Sequence, residues 1–138
     1  MNNLKKYRYE LINGYYDYFK QYALEDPNHA IIILDRVGRI IYFNNTFLRH
    51  QGLKREDVER RFIEDVYVDG RMRVELKSGV PEKGYVFKVN GRYFMATSYP
   101  IYKDGNLIGV IGRSIFLDID DAFSFVKVVT ELKASSMS

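Results

Sequence analysis

The N-terminal segment, residues 4–24, carries apolar and aromatic positions at helical spacing. Steps of four, three and four residues separate Leu11, Tyr15, Tyr18 and Tyr22. Side chains three and four positions apart share one face of a helix. Pro27 follows, and the residue before a proline avoids the helical region. We therefore predict an amphipathic N-terminal helix that ends before Pro27.

Two short runs of β-branched and aromatic residues come next, at residues 30–34 and 40–43. The connection between them contains Gly38 in a polar turn sequence, so the two runs predict a hairpin. Asn44 is a natural N-cap for the short helix that carries Phe47. Gly52 suits the left-handed position that ends such a helix.

Short helical segments are predicted after this hairpin. Residues 54–65 are charged and helical in character, and Asp69-Gly70 marks a turn. In residues 71–77, Met72 and Leu76 lie four positions apart, which indicates another helix.

Three strands are predicted at residues 85–89, 92–99 and 107–117. The first pair is joined by Asn90-Gly91, a strong hairpin signal because both residues of that turn need positive φ. Asp118 then caps a C-terminal helix, and we expect the small polar tail of residues 134–138 to fray. The strands fall in two antiparallel groups rather than alternating with long helices. This order predicts an α+β domain with a five-stranded antiparallel sheet.

Composition excludes several classes of binding site and partner. The chain has 138 residues, which suits one domain, and a formal net charge of +3. It contains no cysteine, which excludes disulfides, thiolate zinc sites and iron–sulfur clusters. Its basic residues are interleaved with acidic ones instead of forming a stripe, so we expect no nucleic-acid contact. The sequence contains no signal-peptide core and no long apolar run, so we expect a cytoplasmic protein that does not enter a membrane.

Nothing in the sequence favours catalysis. It has no Gly-x-Ser-x-Gly elbow and only two histidines, His29 and His50, without an obvious set of further metal ligands. The acidic pairs at residues 64–65 and 120–121 are adjacent, so their carboxylates point apart on a helix. We expect a protein that is not an enzyme and holds no metal.

Several short motifs occur in an order and spacing that are typical of one protein family. They are the hairpin with Gly38 and the capping Asn44, then Phe47 and Gly52, then Gly91-Arg92, Lys103-Asp104-Gly105 and residues 109–112. Together they resemble the PAS sensory domain over residues 30–118. The resemblance implies a curved sheet with short helices on one face, flanked by N- and C-terminal helices. It divides the chain into residues 1–28 for dimerisation or capping of the sheet, residues 29–118 as the PAS domain, and residues 119–138 as a signalling helix and tail.

The segment from Arg71 to Pro81-Glu82, with Glu75 and Gly79, is similar to a bacterial subtype found in sigma-54-dependent transcriptional activators. That similarity implies a sensor that controls transcription through an effector module to which it is normally fused. Two alternatives stay open. One is a ligand-free module for protein interaction and dimerisation, and the other is the PAS domain of a histidine kinase or of a cyclic-dinucleotide enzyme.

The resemblance also bears on cofactors. Photosensing members attach flavin through a cysteine, which this chain lacks, and haem-binding members use a histidine on the helix that corresponds to residues 71–78, where none occurs. Both observations argue against haem and photoactive flavin, while non-covalent flavin stays open. A small-molecule pocket is the expectation, with these candidate lining residues: Phe47, His50, Met72, Leu76, Phe87, Met95 and Arg113.

Two polar candidates allow more than one interpretation. The His50 imidazole either faces a polar ligand, with a charge that changes near physiological pH, or bonds to a backbone carbonyl. The Arg113 guanidinium either points outward into solvent, or points inward toward a carboxylate ligand, Glu75 or Asp65.

The aromatic stripe of the N-terminal helix also has two interpretations. Leu11, Tyr15, Tyr18 and Tyr22 predict a homodimer interface. The alternative is that the stripe covers the sheet of its own domain.

Overall fold

The computed structural model describes residues 3–66 and 71–137 of the chain. The α-helices are α1 (Asn3–Leu24), α2 (Asn45–Gln51), α3 (Ile63–Val66), α4 (Arg71–Ser78) and α5 (Ile119–Met137), with a 3-10 turn at Arg55–Asp57. The strands are β1 (His29–Asp35), β2 (Ile40–Phe43), β3 (Glu82–Val89), β4 (Arg92–Lys103) and β5 (Asn106–Leu117). Within the described residues, no helix has both the length and the hydropathy that crossing a bilayer requires.

All five strands form one antiparallel sheet in the order β2-β1-β5-β4-β3. The pairing of β1 with β5 joins the N-terminal hairpin to the C-terminal meander, with Ala30 opposite Ser114 and Leu34 opposite Val110. The predicted α+β class and the five-stranded antiparallel sheet are therefore confirmed.

The core lies between one face of this sheet and the short helices. Because strand residues alternate between faces, Ala30, Ile32 and Leu34 of β1 share a buried face with Val110 of β5. We call this the inner face of the sheet. Residues of the short helices and of the turn after the 3-10 segment pack against it, namely Phe47, Val58, Ile63 and Met72.

Asn44 connects three elements at the edge of this core. Its side-chain oxygen accepts from Phe47 N at 2.9 Å and from Ile31 N at 3.0 Å, and its amide nitrogen donates to Leu24 O at 2.7 Å and His29 O at 2.8 Å. It is completely buried. The predicted N-cap is confirmed, and the same residue also joins the end of α1 to β1.

The predicted turns are also confirmed where the structure describes them. Gly52 ends α2 with φ 67°, and Asn90 and Gly91 both have positive φ, at 51° and 79°. The predicted turn at Asp69-Gly70 lies outside the described residues.

Three boundaries differ from the sequence prediction by three residues or more. β4 ends at Lys103 instead of at residue 99. β3 begins at Glu82, three residues before the expected start, because the main chain around Glu82 already pairs with Ser98 across a bulge. The prediction that residues 134–138 fray was wrong as far as Met137. The helix α5 continues to that residue, because no glycine or proline interrupts it and the Ser136 hydroxyl donates to Lys133 O.

Candidate functional site

A cavity of about 470 Å³ lies between the inner face of the sheet and the short helices. This size falls within the range of about 300–1,000 Å³ that is typical of small-molecule sites. Most of its wall is apolar, and the polar side chains in it are few. The lining residues are Ala30, Ile32, Phe47, Gln51, Ile63, Val66, Arg71, Met72, Tyr85, Phe87, Lys88, Val89, Ala96, Gly112, Arg113 and Ser114.

Three of the predicted pocket residues line this cavity with inward side chains. Phe47 lies on α2, Met72 on α4 and Phe87 on β3. They come from elements that are far apart in the sequence and meet only because α2 and α4 pack on the same face of the sheet. Leu76, one turn after Met72, is half-buried against the core and does not border the cavity.

Met95 does not take the predicted position. Its neighbours Phe94 and Ala96 are buried on the inner face, so Met95 lies on the outer face of the sheet, where 37% of it is exposed. The expectation that Met95 lines the pocket was wrong, because Met95 falls at the outward position of the strand alternation.

Arg113 lies on the same outer face. It borders the cavity between Gly112 and Ser114, both buried and inward, so its exposed side chain points away from the interior. Its exposure and its position in the strand favour the solvated interpretation over the inward one toward Glu75 or Asp65.

His50 packs beside the cavity instead of lining it. Its ring lies 5.1 Å from that of Phe94, centroid to centroid, and its Nδ1 is buried without a hydrogen-bond partner in the described structure. Nδ1 therefore donates to no backbone carbonyl among the described residues. This excludes, for Nδ1, the interpretation in which the imidazole bonds to a backbone carbonyl. Burial lowers the pKa of His50, and the nearby guanidinium groups of Arg92 and Arg49 lower it further. Since the ordinary value is already 6.5, the imidazole is neutral at pH 7.

The most buried ionisable group is Glu75, on α4. It is completely buried, and its Oε1 accepts from Ser98 Oγ at 2.5 Å and from Glu82 N at 3.2 Å. Its Oε2 has no partner among the described residues. Burial raises the pKa of Glu75 despite these two hydrogen bonds. The carboxyl group therefore fastens α4 to β4 and to the start of β3.

Gln51 is the polar side chain that reaches the cavity from α2, and the sequence analysis did not select it. Only 7% of the residue is exposed, and its Nε2 has no hydrogen-bond partner in the described structure. A buried amide N–H without a partner costs free energy, so a ligand acceptor would satisfy it. The available signal was its position, directly before Gly52 and four residues after Phe47, which puts Gln51 on the face of α2 that carries Phe47.

Arg71 stands where the cavity meets solvent. It is exposed, its guanidinium lies 4.5 Å from the centre of the Tyr85 ring, and its Nη1 is 3.9 Å from Glu82 Oε2. Tyr85 also lines the cavity. The Tyr85 ring therefore holds the Arg71 guanidinium at the rim of the cavity.

Several apolar and aromatic side chains are exposed away from the cavity. Tyr15, Tyr18 and Tyr22 on α1 are 52%, 63% and 79% exposed, so the described part of that stripe does not cover its own sheet. The side chain of Leu11 lies outside the described residues. α5 exposes a second set, which comprises Phe123, Phe125, Val126, Val128, Val129 and Leu132. A small apolar groove lies where α5 meets the outer face of the sheet, lined by Val86, Tyr93, Leu117, Ala122, Phe123 and Val126.

Among residues 3–66 and 71–137, no group of three or more histidine or carboxylate side chains is arranged to hold a metal ion. The chemistry that the described cavity offers is therefore a mainly apolar wall, the Gln51 amide, the Ser114 hydroxyl and a rim cation.

Solved structures of similar fold are PAS domains, whereas no family model and no curated protein matches the sequence. The PAS domain of BvgS from Bordetella pertussis has a TM-score of 0.57 and 21% identity, over 85% of this chain and 96% of that one. The PAS domain of the histidine kinase ThkA has a TM-score of 0.55 and 27% identity, over 64% and 98%. The PAS domain of nitrogen regulation protein NR(II) from Vibrio parahaemolyticus has a TM-score of 0.50 and 18% identity, over 68% and 94%. Each likeness extends over almost the whole solved domain.

Proposed function

We propose that this chain, which has the fold of a PAS domain, is a cytoplasmic sensory domain that binds a small molecule and controls an attached effector. In this proposal the domain itself carries out no catalysis. It changes shape when the ligand binds, and the effector responds.

One observation carries the proposal, namely the cavity of about 470 Å³ with the Gln51 Nε2 in its wall, which has no hydrogen-bond partner among the described residues. A core whose only role was stability would close around apolar side chains, because protein interiors pack to a high density. It would also pair its buried donors. A ligand in the cavity would satisfy both requirements, since it fills the volume and accepts from Gln51.

The connection between cavity and effector runs along β5. Gly112 and Ser114 line the cavity, and the same strand continues into α5 through Asp118, whose Oδ1 accepts from Asp121 N at 3.1 Å. A ligand that binds better to one position of β5 than to another would shift α5 toward the corresponding state. The apolar residues that α5 exposes would then meet the effector or a second copy of the chain.

The type of effector is also part of the proposal. The motif from Arg71 to Glu82 favours a sigma-54-dependent transcriptional activator, whereas one similar solved domain is that of a histidine kinase. The mechanism proposed for α5 is the same for either effector type.

The test is a search for a bound or bindable small molecule. Mass spectrometry of freshly purified, denatured protein reports a co-purified ligand. A thermal-shift screen of small acids and metabolites reports a ligand that is lost in purification. Saturating ligand stabilises the folded state by RT ln(1 + [L]/Kd), about 2.7 kcal/mol at a hundredfold excess over Kd.

Ala96→Leu is the matched variant for this test, because Ala96 is buried and lines the cavity from β4. The larger side chain is expected to fill part of the cavity and abolish the thermal shift. A ligand that stabilises the wild type and Ala96→Leu equally binds elsewhere and contradicts the proposal. Failure of every compound, with no co-purified molecule, also contradicts it.

A second candidate function is a ligand-free dimerisation module. The observation in its favour is the set of exposed apolar and aromatic side chains on α1 and α5, notably Tyr18, Tyr22, Phe123 and Leu132. A dimer without any ligand-dependent stabilisation would support this candidate over the sensory one.

A further inference from the structure

We propose that the ligand of this cavity is a flat aromatic molecule of one or two fused rings that carries a ketone or another carbonyl oxygen. The ring lies on the inner face of the sheet, and the oxygen accepts a hydrogen bond from Gln51. This inference rests on the proposed sensory function, because it names the chemical class that the same cavity would take.

On the sheet side, the cavity is bounded by a row of three small side chains, which we call the floor. Ser114 of β5 pairs with Ala30 of β1 on one side and with Ala96 of β4 on the other. All three residues are buried and line the cavity. Neighbouring strands lie about 4.8 Å apart, so the floor extends over roughly 10 Å. Because alanine and serine side chains are short, the floor is flat and shallow.

Larger side chains stand on both sides of the floor. On one side, Met72 of α4 covers Gly112, the next inward residue of β5, so closely that a Cβ at Gly112 would lie 3.2 Å from Met72 Cε. On the other side, the next inward residue of β4 is Phe94, whose ring centroid is 5.6 Å from that of Phe87. The floor is therefore a recess between larger side chains. A flat ring brings all its atoms to within about 3.5–4.0 Å of such a floor, whereas a puckered ring brings only some of them.

Gln51 provides a polar contact to the same cavity from α2. Only 7% of the residue is exposed, and its Nε2 has no hydrogen-bond partner among the described residues. An amide N–H selects an acceptor oxygen and rejects an apolar group that would leave it unpaired. A carbonyl oxygen suits this position because it accepts without adding a donor that needs a partner of its own. The floor thus selects the shape of the ligand, and Gln51 selects its polar group.

The test uses three probes, two of which differ from the first by one feature each. They are 1-indanone, indane without the ketone, and octahydro-1-indanone, which keeps the ketone on a saturated and puckered ring system. Titration of the isotopically labelled full chain, followed by NMR, gives each dissociation constant. We expect 1-indanone to bind most tightly and each of the other two about tenfold more weakly, which corresponds to about 1.4 kcal/mol. The side-chain N–H signals of Gln51 are expected to move downfield with the two ketones and not with indane.

Gln51→Met tests the hydrogen bond, because methionine keeps the length of the side chain and removes its N–H group. This variant is expected to weaken 1-indanone about tenfold and to leave the affinity for indane unchanged. Gln21→Met, at an exposed position of α1, is the matched control and should change neither affinity. Equal weakening of 1-indanone and indane by Gln51→Met contradicts the carbonyl contact.

Two variants of Ser114 test the floor. Ser114→Ala keeps the floor flat and is expected to leave the affinity for 1-indanone unchanged. Ser114→Leu raises the middle of the floor and is expected to weaken both 1-indanone and indane more than tenfold. Equal effects of the two variants contradict the flat floor. If thermal unfolding shows that Ser114→Leu does not fold, Ala96→Leu raises the same floor and takes its place.

The outcomes separate the ligand class from the function. Equal affinity for all three probes, blocked by Ala96→Leu, overturns the flat carbonyl class while the sensory cavity stands. Binding of the probes that Ala96→Leu does not weaken, in a variant whose thermal unfolding shows that it is folded, overturns both proposals. If none of the probes binds, the flat carbonyl class is rejected, and a separate ligand found in the broader screen keeps the sensory function.

Discussion

The Ser98 hydroxyl donates to Glu75 Oε1 at 2.5 Å, inside a core where neither residue has any exposed surface. Ser98 belongs to β4 and Glu75 to α4, the helix that carries Met72 into the cavity wall. The second oxygen of the same carboxyl group has no partner in the described structure. A single buried acid thus holds the cavity helix against the sheet, and its protonation state affects the stability of that contact.

Glu75→Gln is expected to remove a pH-dependent loss of stability. Burial raises the pKa of Glu75 above its ordinary 4.5, so the folded protein retains a proton that the unfolded chain releases. As pH rises from 4.5 through the folded pKa, this residue therefore lowers the free energy of unfolding, and above the folded pKa the loss is complete. Glutamine resembles the protonated acid. The stability of Glu75→Gln relative to the wild type should therefore rise as the pH increases above 4.5.

Urea unfolding across that pH range measures the effect. Glu59→Gln, at an exposed position, is the matched control for removing a carboxylate. A stability difference between Glu75→Gln and the wild type that stays constant with pH, or that falls as pH rises, contradicts the prediction.

Asn44→Ala is expected to destabilise the fold by roughly 2–4 kcal/mol, because it leaves several buried backbone groups without their partner. The groups that lose it are Ile31 N, Phe47 N, Leu24 O and His29 O. The neighbouring Asn45→Ala, at an exposed helix position, should change stability by less than about 0.5 kcal/mol. Chemical denaturation of the two variants measures the difference, and equal values would contradict the structural role of Asn44.

Gly109→Ala is expected to disrupt the pairing of β1 with β5. A Cβ at Gly109 would overlap the carbonyl oxygen of Leu34, which belongs to the neighbouring strand and cannot rotate away. We expect a loss of more than about 2 kcal/mol. Gly14→Ala is the control, since a Cβ there meets nothing within 4 Å and a helical alanine stabilises by about 1 kcal/mol over glycine. Thermal unfolding of both variants tests the strand order, and a Gly109→Ala variant as stable as the wild type argues against it.

The double substitution Tyr18→Glu with Tyr22→Glu is expected to convert a homodimer into monomers. Both tyrosines are more than half exposed on α1, so the loss of stability within one chain should be small. Like charges placed on the two facing helices would oppose association. Sedimentation velocity measures the change in mass, with Lys20→Glu as a control for the added charge on α1. A wild type that is monomeric at high concentration rejects the dimer.

Local signals predicted each element of the fold because their causes are local. The capping geometry of Asn44, the positive φ of Asn90 and Gly91, and the left-handed Gly52 all follow from steric and hydrogen-bonding rules within a few residues.

The candidate site was predicted only in part. Phe47, Met72 and Phe87 line the cavity as expected, whereas Met95 belongs to the outer face. The two faces of β4 carry side chains of similar hydrophobicity, so the sequence alone does not show which set points inward. That choice depends on which face of the sheet the helices cover. Gln51 was missed because only the tertiary structure shows its Nε2 buried without a partner among the described residues, and such burial has no local signature.

The sequence by itself determined which helices, strands and turns form and that one antiparallel sheet results, because backbone sterics and hydrophobic period act over short distances. Only the tertiary structure decided which sheet face became the interior, how α2 and α4 enclose a cavity of about 470 Å³, and that Glu75 meets Ser98 across 23 positions of the chain. Those outcomes depend on close packing between distant segments, where a shift of one residue in strand register reverses every side chain.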